Sequence, residues 1–596
     1  MKEISKVQLG YAESFSDLEE FFRWLSTYRD VLAVDTETSG LDAWEIGARI
    51  RLVQFGDEET GWAINYEKWP GVVNEVLSRY TGRLVFHNFP FDAKFLARHS
   101  DAGTPWWDKV DDTMIAARVE DSTRPAGLKT LAKKYIDKNA GRGQDLLEQA
   151  MHENKWTWDT VPLSYPGYSL YGAMDVVLTA RMWRRFSELG VLGSDIYQLE
   201  NSVSHTTTRM ELRGARVDVE YAETKLEELD GYVESMLEYG QRKYGIKLTS
   251  PTQLGKWLDA HDAPPIKFTT TGMYATDKEV MDTLSAEGWD IASDVLKIRK
   301  AGKLASTYFR NIIDLQRDGV LHCQINSRVA RTGRMSIQNP ALQTLPKRDK
   351  AVRRAFVPDT EEHVILSSDL DQVELRIFAS LCEADALIEM FAKADVPGGT
   401  DVFTQIGRDI YSDHTMVKSD PRRDTVKTFV YSMLYGAGVE KQAVSANVPV
   451  HVMRTISNRF REIYPQIHDY QARVGSAVQT MIKKGERPFV LNPYGDRLYV
   501  DEDKPYTGVN YLIQSSAAAA FKMNMLALEN AGLVDYMIVP VHDEIVLSVP
   551  KEDLPDIAPV VKECMTTTAK FAVPVPSGVA IGDSWGAMKD YTEEAI

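Results

Sequence analysis

An acidic segment near the N-terminus has the residue types and spacing of a metal-binding site. In "VLAVDTETSGLD", Asp35 and Glu37 lie two residues apart at the end of an apolar strand, so their side chains share one face. Asp92 lies near the start of a predicted helix, and Tyr171 and Asp175 are four residues apart on another. Grouped carboxylates suit hard divalent cations such as Mg²⁺. The first pair alone is weak evidence, because many strands end in acids before a turn.

A second acidic group is divided between two apolar segments. The segment "VPVHDEIVLSV", residues 539–549, is interpreted as one strand, and His542, Asp543 and Glu544 lie near its centre. Carboxylates in a mostly apolar strand cost free energy of folding unless something neutralises them. Upstream, the apolar strand of "VILSSDLDQVELR" runs into Asp369. Two such strands side by side would direct their acids to one point and bind two metal ions, as in phosphoryl transfer between nucleotides. The alternative is an exposed strand with incidental acids.

A helix between these two segments is predicted to carry a stripe of cations and aromatic rings. In "RRDTVKTFVYSMLYGAG", Arg423, Lys427, Tyr431 and Tyr435 recur every four residues. On a helix they form one slowly spiralling stripe about 18 Å long. Two cations at one end suit a triphosphate, and two aromatic faces at the other suit a base pair. The alternative is a charged surface helix with tyrosines in the core.

Composition places the chain among globular proteins of several domains. It has 596 residues, of which 44% are hydrophobic, and no apolar run long enough to cross a bilayer. Its three cysteines are isolated, and the N-terminus has no signal-type apolar core, which predicts a soluble protein of a reducing cytoplasm.

The charge distribution is uneven. The net charge of −17 argues mildly against nucleic-acid binding. However, residues 321–360 hold eight cations against two acids, which favours such binding over the alternative of a solvated face. The cations are Arg328, Arg331, Arg334, Lys347, Arg348, Lys350, Arg353 and Arg354, and the acids are Asp349 and Asp359.

The order of predicted elements divides the chain into two bodies near residue 195. Residues 1 to about 190 alternate strand-like and helix-like segments, which predicts an α/β domain with a central sheet. Residues 157–169 are predicted as a loop and residues 171–190 as a helix. From about residue 201 long helices dominate, including one predicted over 290–319, and a helical stretch to about residue 480 precedes a final mixed region.

The N-terminal motifs resemble the 3′–5′ exonuclease family with an RNase H-like fold. The chain has the family's DxE motif, an N-x3-D motif from Asn88 to Asp92, an intermediate segment with Asp112, and a Y-x3-D motif, all in family order. The resemblance implies that Asp35, Glu37, Asp92 and Asp175 hold two metal ions, and that Tyr171 orients the attacking water.

The remainder resembles family A DNA polymerases, especially phage replicative members. "SSDLDQVELR", "RDTVKTFVYSMLYGAG" and "VHDE" resemble motifs A, B and C, and "RTGRMSIQNPALQTLP" resembles the template–primer segment. "MELRGARVD", "KIRKAGKLASTY" and "NYLIQSSAAAA" match further segments in order. The resemblance implies that Asp369 and Asp543 are catalytic metal ligands and that Glu544 lies beside the metals as a catalytic group.

The same resemblance implies the substrate contacts. Arg423 and Lys427 would hold the triphosphate, with Lys427 also a catalytic proton donor, and Glu374 would exclude ribonucleotides. The nucleotide-binding set is Arg423, Lys427, Tyr431, Tyr435, Glu374, Gln372 and Leu370. The DNA-binding set is Arg334, Asn510, Gln514, His542, Gln343 and Lys303.

The implied fold is α/β and α+β multidomain, with an RNase H-like exonuclease domain (1–195) before a right-hand polymerase domain (196–596). Within the latter we expect a thumb at about 196–325, a palm at about 326–395 and 500–596, and fingers at about 396–499. Expected cofactors are two Mg²⁺ per active site, which Mn²⁺ can replace. Expected partners are primer–template DNA, deoxynucleoside triphosphates and other replication proteins, in the cytoplasm of a bacterial host. We expect neither a 5′ nuclease domain nor a long thioredoxin-type processivity insertion.

Five positions depart from the polymerase pattern. Leu370 and Asp371 replace the usual Tyr and Ser, although Leu370 can still offer a backbone carbonyl to a metal. Phe403 stands where a phosphate-contacting His is common, Tyr506 where Arg is common, and Ser432 where Gly is common. Two alternatives are a 3′–5′ nuclease whose C-terminal body only binds DNA, and a non-catalytic DNA-binding module.

Overall fold

The N-terminal body is a twisted mixed sheet with helices packed on it. A computed structural model describes residues 3–27, 29–345, 350–567 and 571–592. Within them the sheet has six strands in the order β1-β4-β3-β2-β5-β6. These strands are β1 (Gln8–Ala12), β2 (Val31–Thr38), β3 (Ile50–Gly56), β4 (Thr60–Asn65), β5 (Arg83–Phe86) and β6 (Val110–Asp112). The helices are α1 (Phe15–Leu25), α2 (Pro70–Arg79), α3 (Phe89–His99), α4 (Thr113–Glu120), α5 (Leu128–Tyr135), α6 (Arg142–Asn154) and α7 (Pro166–Glu188).

Close packing of α7 on the sheet fixes the face that carries Tyr171 and Asp175. Strand β3 is buried along its whole length, as expected for an apolar strand covered on both faces. A side chain at Gly61 would collide with the carbonyl of Ala173, so glycine there lets α7 approach the sheet. The helix begins at Pro166, within the predicted loop, because proline is well suited to the first turn.

The C-terminal body begins with long helices and short strand pairs. Its first half contains α8 (Asp195–Arg213), β7 (Ala215–Arg216), α9 (Val219–Tyr244), α10 (Pro251–Ala260), α11 (Lys278–Ala286), α12 (Asp290–Lys303), α13 (Arg310–Leu315), β8 (Val320–Leu321), β9 (Gln324–Asn326), β10 (Ser336–Gln338) and α14 (Lys350–Arg354). The helix predicted over 290–319 is interrupted by a π-helical stretch, Leu304–Phe309, and ends at Leu315 before the turn at Gly319, whose φ is +79°. Lys347, Arg348 and Asp349 of the basic cluster lie outside the described residues.

A five-stranded antiparallel sheet and a helical region complete this body. The sheet order in the described chain is β14-β15-β11-β16-β17. The remaining elements are β11 (His363–Leu370), α15 (Val373–Leu381), α16 (Asp385–Ala394), α17 (Val402–Tyr411), α18 (Pro421–Leu434), α19 (Val439–Ala446), α20 (Val450–Ile463), α21 (Pro465–Lys483), β12 (Phe489–Leu491), β13 (Arg497–Tyr499), α22 (Thr507–Asn530), β14 (Met537–Val541), β15 (Glu544–Pro550), α23 (Leu554–Thr567), β16 (Ser577–Gly582) and β17 (Met588–Asp590).

The prediction of a single strand over residues 539–549 is wrong. The segment is a hairpin in which β14 and β15 pair antiparallel and His542 and Asp543 form the turn. His542 has φ +59°, a left-handed conformation that reverses the chain. The turn has no glycine or asparagine, and its one turn former, Asp543, lies between apolar strand residues, so the signal in the sequence is weak. Asp543 therefore lies at a strand end rather than inside a strand.

Four buried charges connect the elements where the two bodies meet. Lys522 on α22 donates to both carboxylate oxygens of Glu200 on α8, at 2.7 and 2.6 Å. Arg328 donates to Glu200 at 2.9 Å and to Asp496 at 2.7 Å. Each of these four side chains is at most 2% exposed. From the N-terminal body, Arg118 donates to the carbonyl of Arg328 at 2.7 Å.

We expect Lys522→Met to lower the free energy of unfolding by about 3–5 kcal/mol, because it leaves the buried Glu200 carboxylate short of a partner. Urea titration followed by circular dichroism measures the change. The matched control is Lys393→Met, because the Lys393 side chain is 78% exposed. This substitution should change the free energy of unfolding by no more than about 0.5 kcal/mol. Equal stability of the two variants would contradict the importance of this network.

Candidate functional site

The N-terminal cluster, defined as Asp35, Glu37, Asp92 and Asp175, is assembled by three elements. Asp35 and Glu37 lie on β2, Asp92 lies in the first turn of α3, and Asp175 lies in the middle of α7. Glu37, Asp92 and Asp175 are at most 8% exposed. Thr36 donates its hydroxyl to Asp92 at 2.7 Å, which joins β2 to α3.

Electrostatics show that these carboxylates lie within each other's field. Burial raises the pKa of Asp35 to about 7, against the attraction of Lys129. Burial, and after it the charge of Asp35, raise the pKa values of Glu37 and Asp92. Burial also raises the pKa of Tyr171, assisted by the charges of Glu37 and Asp35. The structure therefore brings the predicted residues together.

Asp112 holds the start of α3 in place. Its carboxylate accepts hydrogen bonds from the backbone N–H groups of Asn88 at 3.0 Å and Phe89 at 2.9 Å. It also caps α4 by accepting from the N–H of Met114 at 2.7 Å. Because Asp92 lies in this first turn of α3, Asp112 positions the N-terminal cluster from outside it.

Lys129, at the start of α5, is a site residue that the sequence interpretation missed. Its ammonium contacts Asp175 and lies 4.6 Å from the centre of the Tyr171 ring. Burial lowers the pKa of Lys129 to about 8, while Asp35 and Glu37 oppose that shift. Lys129 is one of three lysines in "GLKTLAKKY" and has no spacing relation to the acidic motifs, so no local signal could have identified it.

The C-terminal pocket is a cavity of about 560 Å³ between the five-stranded sheet and the stripe helix α18. It brings together eleven of the predicted site residues: Asp369, Asp543, Leu370, Gln372, Glu374, Lys427, Tyr431, Tyr435, Arg334, Gln343 and His542. Asp369 lies opposite Glu544 across β11 and β15, and the N–H of Leu370 donates to the carbonyl of Asp543 at 3.1 Å. The two strands therefore place Asp369 and Asp543 side by side, as predicted.

The turn that carries Asp543 is supported by the Gln343 side chain. The amide of Gln343 donates to the carbonyl of Pro540 at 3.1 Å and accepts from the N–H of His542 at 2.9 Å. These two bonds hold His542 in its left-handed conformation. The DNA contact predicted for Gln343 stays a prediction.

Glu544 has three partners of its own and does not line the C-terminal pocket. Its carboxylate accepts from Ser367 at 2.6 Å, from the indole of Trp585 at 2.7 Å and from Arg353 at 2.9 Å. The catalytic role predicted for Glu544 stays a prediction, and these contacts favour a positioning role.

Two residues ahead of the stripe helix organise its cationic end. Asp401 binds Arg423, with the closer of two bonds at 2.8 Å, and also caps α17. The buried ring of Phe403 lies 5.7 Å from the Arg423 guanidinium and 5.6 Å from the Lys427 ammonium. Its centre is 5.7 Å from that of the Tyr431 ring. Phe403 therefore contacts three of the four stripe residues. The sequence pattern indicates only that Phe403 replaces a His that commonly contacts phosphate.

Glu374 is fixed at the aromatic end of the stripe. Tyr435 donates its hydroxyl to Glu374 at 2.7 Å, and Arg334 contacts the other oxygen of the same carboxylate. Tyr435 caps the C-terminus of α18, so the predicted stripe runs to the end of the helix.

Five predicted residues do not line the C-terminal pocket: Glu544, Arg423, Asn510, Gln514 and Lys303. Asn510 and Gln514 lie on α22, whose later residues Ala517 and Phe521 do line it. Gln514 accepts from Thr332 at 3.3 Å. Lys303 ends α12, and its ammonium lies 5.9 Å from the centre of the Tyr308 ring. Their predicted DNA contacts stay predictions.

A separate cleft of about 390 Å³ lies between the two bodies. One wall includes Leu41, Asn88 and Phe91 of the N-terminal body, and the other includes Asn326 of the C-terminal body. Trp44 and His322 also line the cleft and stack on each other across the boundary, with ring centres 4.2 Å apart.

The grouped carboxylates of both acidic sites are oxygen donors, which Mg²⁺ and Mn²⁺ prefer. In the N-terminal cluster, burial and after it the charge of Asp35 raise the pKa values of Glu37 and Asp92, and a divalent ion would compensate this buried negative charge. Among the described residues, no group of three or more His, Cys, Asp or Glu side chains is arranged so that it could hold an ion as it stands. In the same residues, no helix has both the length and the apolarity to cross a membrane.

Comparison with known families and proteins gives consistent matches. The model of the family described as "DNA polymerase family A" matches residues 219–587, and that described as "3'-5' exonuclease" matches residues 11–190. A DNA polymerase of Mycobacterium phage D29 is 30% identical over 573 residues, covering 92% of this chain and 91% of the relative. DNA polymerase I of Pseudomonas aeruginosa is 26% identical over 617 residues, covering 96% of this chain and 65% of the relative.

A solved structure also has the same fold. The POL domain of Pol1 from M. smegmatis, in complex with DNA primer-template and dNTP, superposes with a TM-score of 0.78 at 23% identity. The superposition covers 97% of this chain and 99% of that one.

Proposed function

The chain belongs to DNA polymerase family A and carries a 3′–5′ exonuclease domain, and from this premise we propose that it extends a primer in the C-terminal pocket and trims the same 3′ end at the N-terminal cluster. The observation that carries the proposal is the C-terminal pocket itself. One cavity joins two strand-end aspartates, Asp369 and Asp543, to a helix of cations and aromatic rings.

The chemistry of the pocket fits a deoxynucleoside triphosphate beside a primer terminus. Arg423 and Lys427 form the cationic end of the stripe and would neutralise phosphate charge as it develops on the leaving group. Tyr431 and Tyr435 offer ring faces to the incoming base and its template partner. The M. smegmatis relative is a complex with primer–template and dNTP, and we extend those ligands to this chain by proposal.

Divalent ions are the proposed cofactors of both sites. In the C-terminal pocket Asp369, Asp543 and the Leu370 carbonyl would hold them, and in the N-terminal domain the four clustered carboxylates would. When bound, such ions lower the pKa of the attacking oxygen and stabilise the charge of the transition state. The protein's own contribution is to fix the carboxylates, through Gln343 at one site and Thr36 and Asp112 at the other.

Glu374 is the proposed filter against ribonucleotides. Tyr435 and Arg334 hold its carboxylate from two sides, so it cannot easily rotate away from a sugar placed beside it. A 2′-hydroxyl would meet this fixed side chain, whereas a deoxyribose would not.

The cleft between the bodies is the proposed site for a frayed 3′ end during proofreading. Its walls come from both domains, and Leu41, which is 86% exposed, offers an apolar contact to unpaired bases. Tyr171, which adjoins the clustered carboxylates, would orient the attacking water.

The wider role is that of a phage-type replicative polymerase, in keeping with the mycobacteriophage relatives. We propose that residues of about 196–325 act as thumb, about 326–395 and 500–596 as palm, and about 396–499 as fingers. Action in a bacterial cytoplasm, alongside other replication proteins, belongs to the same proposal.

Asp543→Ala should reduce primer extension by at least about a hundredfold while leaving 3′–5′ degradation intact, because it removes one electrostatic contact of the extension transition state. Asp35→Ala combined with Glu37→Ala should do the reverse. Radiolabelled primer–template assays with and without Mg²⁺ measure both. Asp556→Ala, at an exposed position of α23, is the control and should affect neither activity. Normal extension by the Asp543→Ala protein would mean that the C-terminal body only binds DNA.

Tyr431→Phe should make the enzyme discriminate against dideoxynucleotides by about tenfold or more, because the phenol hydroxyl can replace the hydrogen bond of the missing 3′-oxygen. The ratio of kcat/KM for a deoxy- and a dideoxynucleotide measures this. Tyr411→Phe removes a hydroxyl from α17, outside the pocket lining, and should leave the ratio unchanged. An unaltered ratio in the Tyr431 variant would refute the contact.

Phe403→Leu should raise the KM for deoxynucleotides about three- to tenfold with a smaller change in kcat, because two cation–π contacts to Arg423 and Lys427 are lost. Steady-state kinetics on a fixed primer–template measure KM and kcat separately. Phe460→Leu is the matched control, since its buried ring packs on Phe429 and Tyr464 in the same hydrophobic core. Equal KM values for the two variants would exclude a positioning role for Phe403.

A further inference from the structure

The exonuclease cluster contains an intrinsic cation. We propose that Lys129 is a built-in counter-ion of this centre, which pairs with Asp175 while no divalent ion is bound and gives up that contact when an ion binds. The proposal deepens the proposed function, since it depends on the cluster being a divalent-metal site.

The placement of Lys129 is specific. It is the second residue of α5, and its side chain is only 16% exposed. Its ammonium contacts Asp175 and lies over the ring of Tyr171, one turn earlier on the same face of α7. The side chain therefore reaches the two residues of the Y-x3-D motif at once.

The surrounding charges explain why a lysine is stable there. Burying an ammonium is unfavourable unless anions compensate it, and Lys129 interacts with Asp35 and Glu37 as well as with Asp175. Conversely, burial raises the pKa values of Asp35 and Glu37, the charge of Asp35 adds to the rise at Glu37, and Lys129 opposes both shifts. Nearby His87 does not supply positive charge to these carboxylates, because burial, followed by the charge of Lys129, lowers the pKa of His87 to about 3.

A divalent ion and Lys129 compete for the same negative charge. An ion coordinated by Asp175 would lie within a few ångströms of the ammonium, and two cations at such a distance repel strongly in a partly buried site. Binding of the ion must therefore displace Lys129. It follows that Lys129 weakens ion binding while stabilising the N-terminal domain when no ion is present.

A lysine that only supports the fold would behave differently. Its loss would destabilise the domain equally with and without metal, and ion affinity would stay the same or fall. A counter-ion role predicts that its loss is harmful without metal, harmless with metal, and accompanied by tighter ion binding. The sign of the affinity change therefore separates the two roles.

The test uses the full chain with Asp369→Ala and Asp543→Ala, so that Mn²⁺ binding reports on the N-terminal cluster. Lys129→Met should bind Mn²⁺ about tenfold or more tightly by titration calorimetry, because a competing charge is gone. Lys129→Arg keeps the charge and should retain the affinity of the unsubstituted background. Lys133→Met, an exposed position on the next turn of α5, is the control for removing a lysine from this helix.

Thermal unfolding supplies the second measurement. Nine of the 12 tryptophans precede residue 195, so their fluorescence reports mainly on the N-terminal domain. Lys129→Met should melt at a lower temperature than the background in EDTA and at an equal temperature in saturating Mn²⁺. Unchanged or weaker Mn²⁺ affinity, an equal loss of stability in both conditions, or failure to fold even with Mn²⁺ would overturn the proposal.

The background protein distinguishes this proposal from the one on which it rests. If it neither binds Mn²⁺ nor degrades single-stranded DNA, the assignment of the exonuclease centre fails, and the counter-ion role fails with it. If it does both and Lys129→Met changes nothing, only the counter-ion role fails.

Discussion

The buried charge network of Glu200, Lys522, Arg328 and Asp496 is the constraint on which the relative placement of the elements depends. Two cations and two anions are removed from water together, so each is stable only while the others stay in place. The network joins α8, α22, the segment before β10 and the β12–β13 hairpin. Lys522 also donates to the carbonyl of Gly333 at 2.6 Å, directly before Arg334, and in this way the network reaches the C-terminal pocket.

The two proposed catalytic centres use the same side-chain chemistry in different surroundings. The carboxylates of the N-terminal cluster are largely buried and lie beside Lys129, whereas Asp369 and Asp543 line an open cavity of about 560 Å³. The difference suits the proposed substrates, because a growing duplex with an incoming nucleotide needs space that a single phosphodiester end does not. In both centres the acids lie at strand ends or on helices held by side chains from other elements.

Much of this arrangement could be predicted from the sequence, because the relevant signals are local. The apolar run before Asp35, the one before Asp369 and the four-residue spacing from Arg423 to Tyr435 each specify an element and the face it presents. The features that were missed depend on contacts through space. Lys129 meets Asp175 across 46 residues of chain, and the β14–β15 turn, His542–Asp543, contains neither glycine nor asparagine. The contacts of Phe403 with Arg423, Lys427 and Tyr431 could not be predicted for the same reason, since they depend on the fold.

The pairing of Arg423 with Asp401 has a consequence for ligand selection. An anion that arrives at Arg423 does not meet an isolated positive charge; it exchanges with a carboxylate already bound to the guanidinium at 2.8 Å. The free energy of binding is therefore the difference between two ion pairs. It becomes more favourable as the charge and the number of oxygens of the incoming anion increase. A single phosphate would bind weakly in competition with Asp401, whereas a polyphosphate chain would bind more tightly. The Asp401 carboxylate would therefore favour the more highly charged ligand.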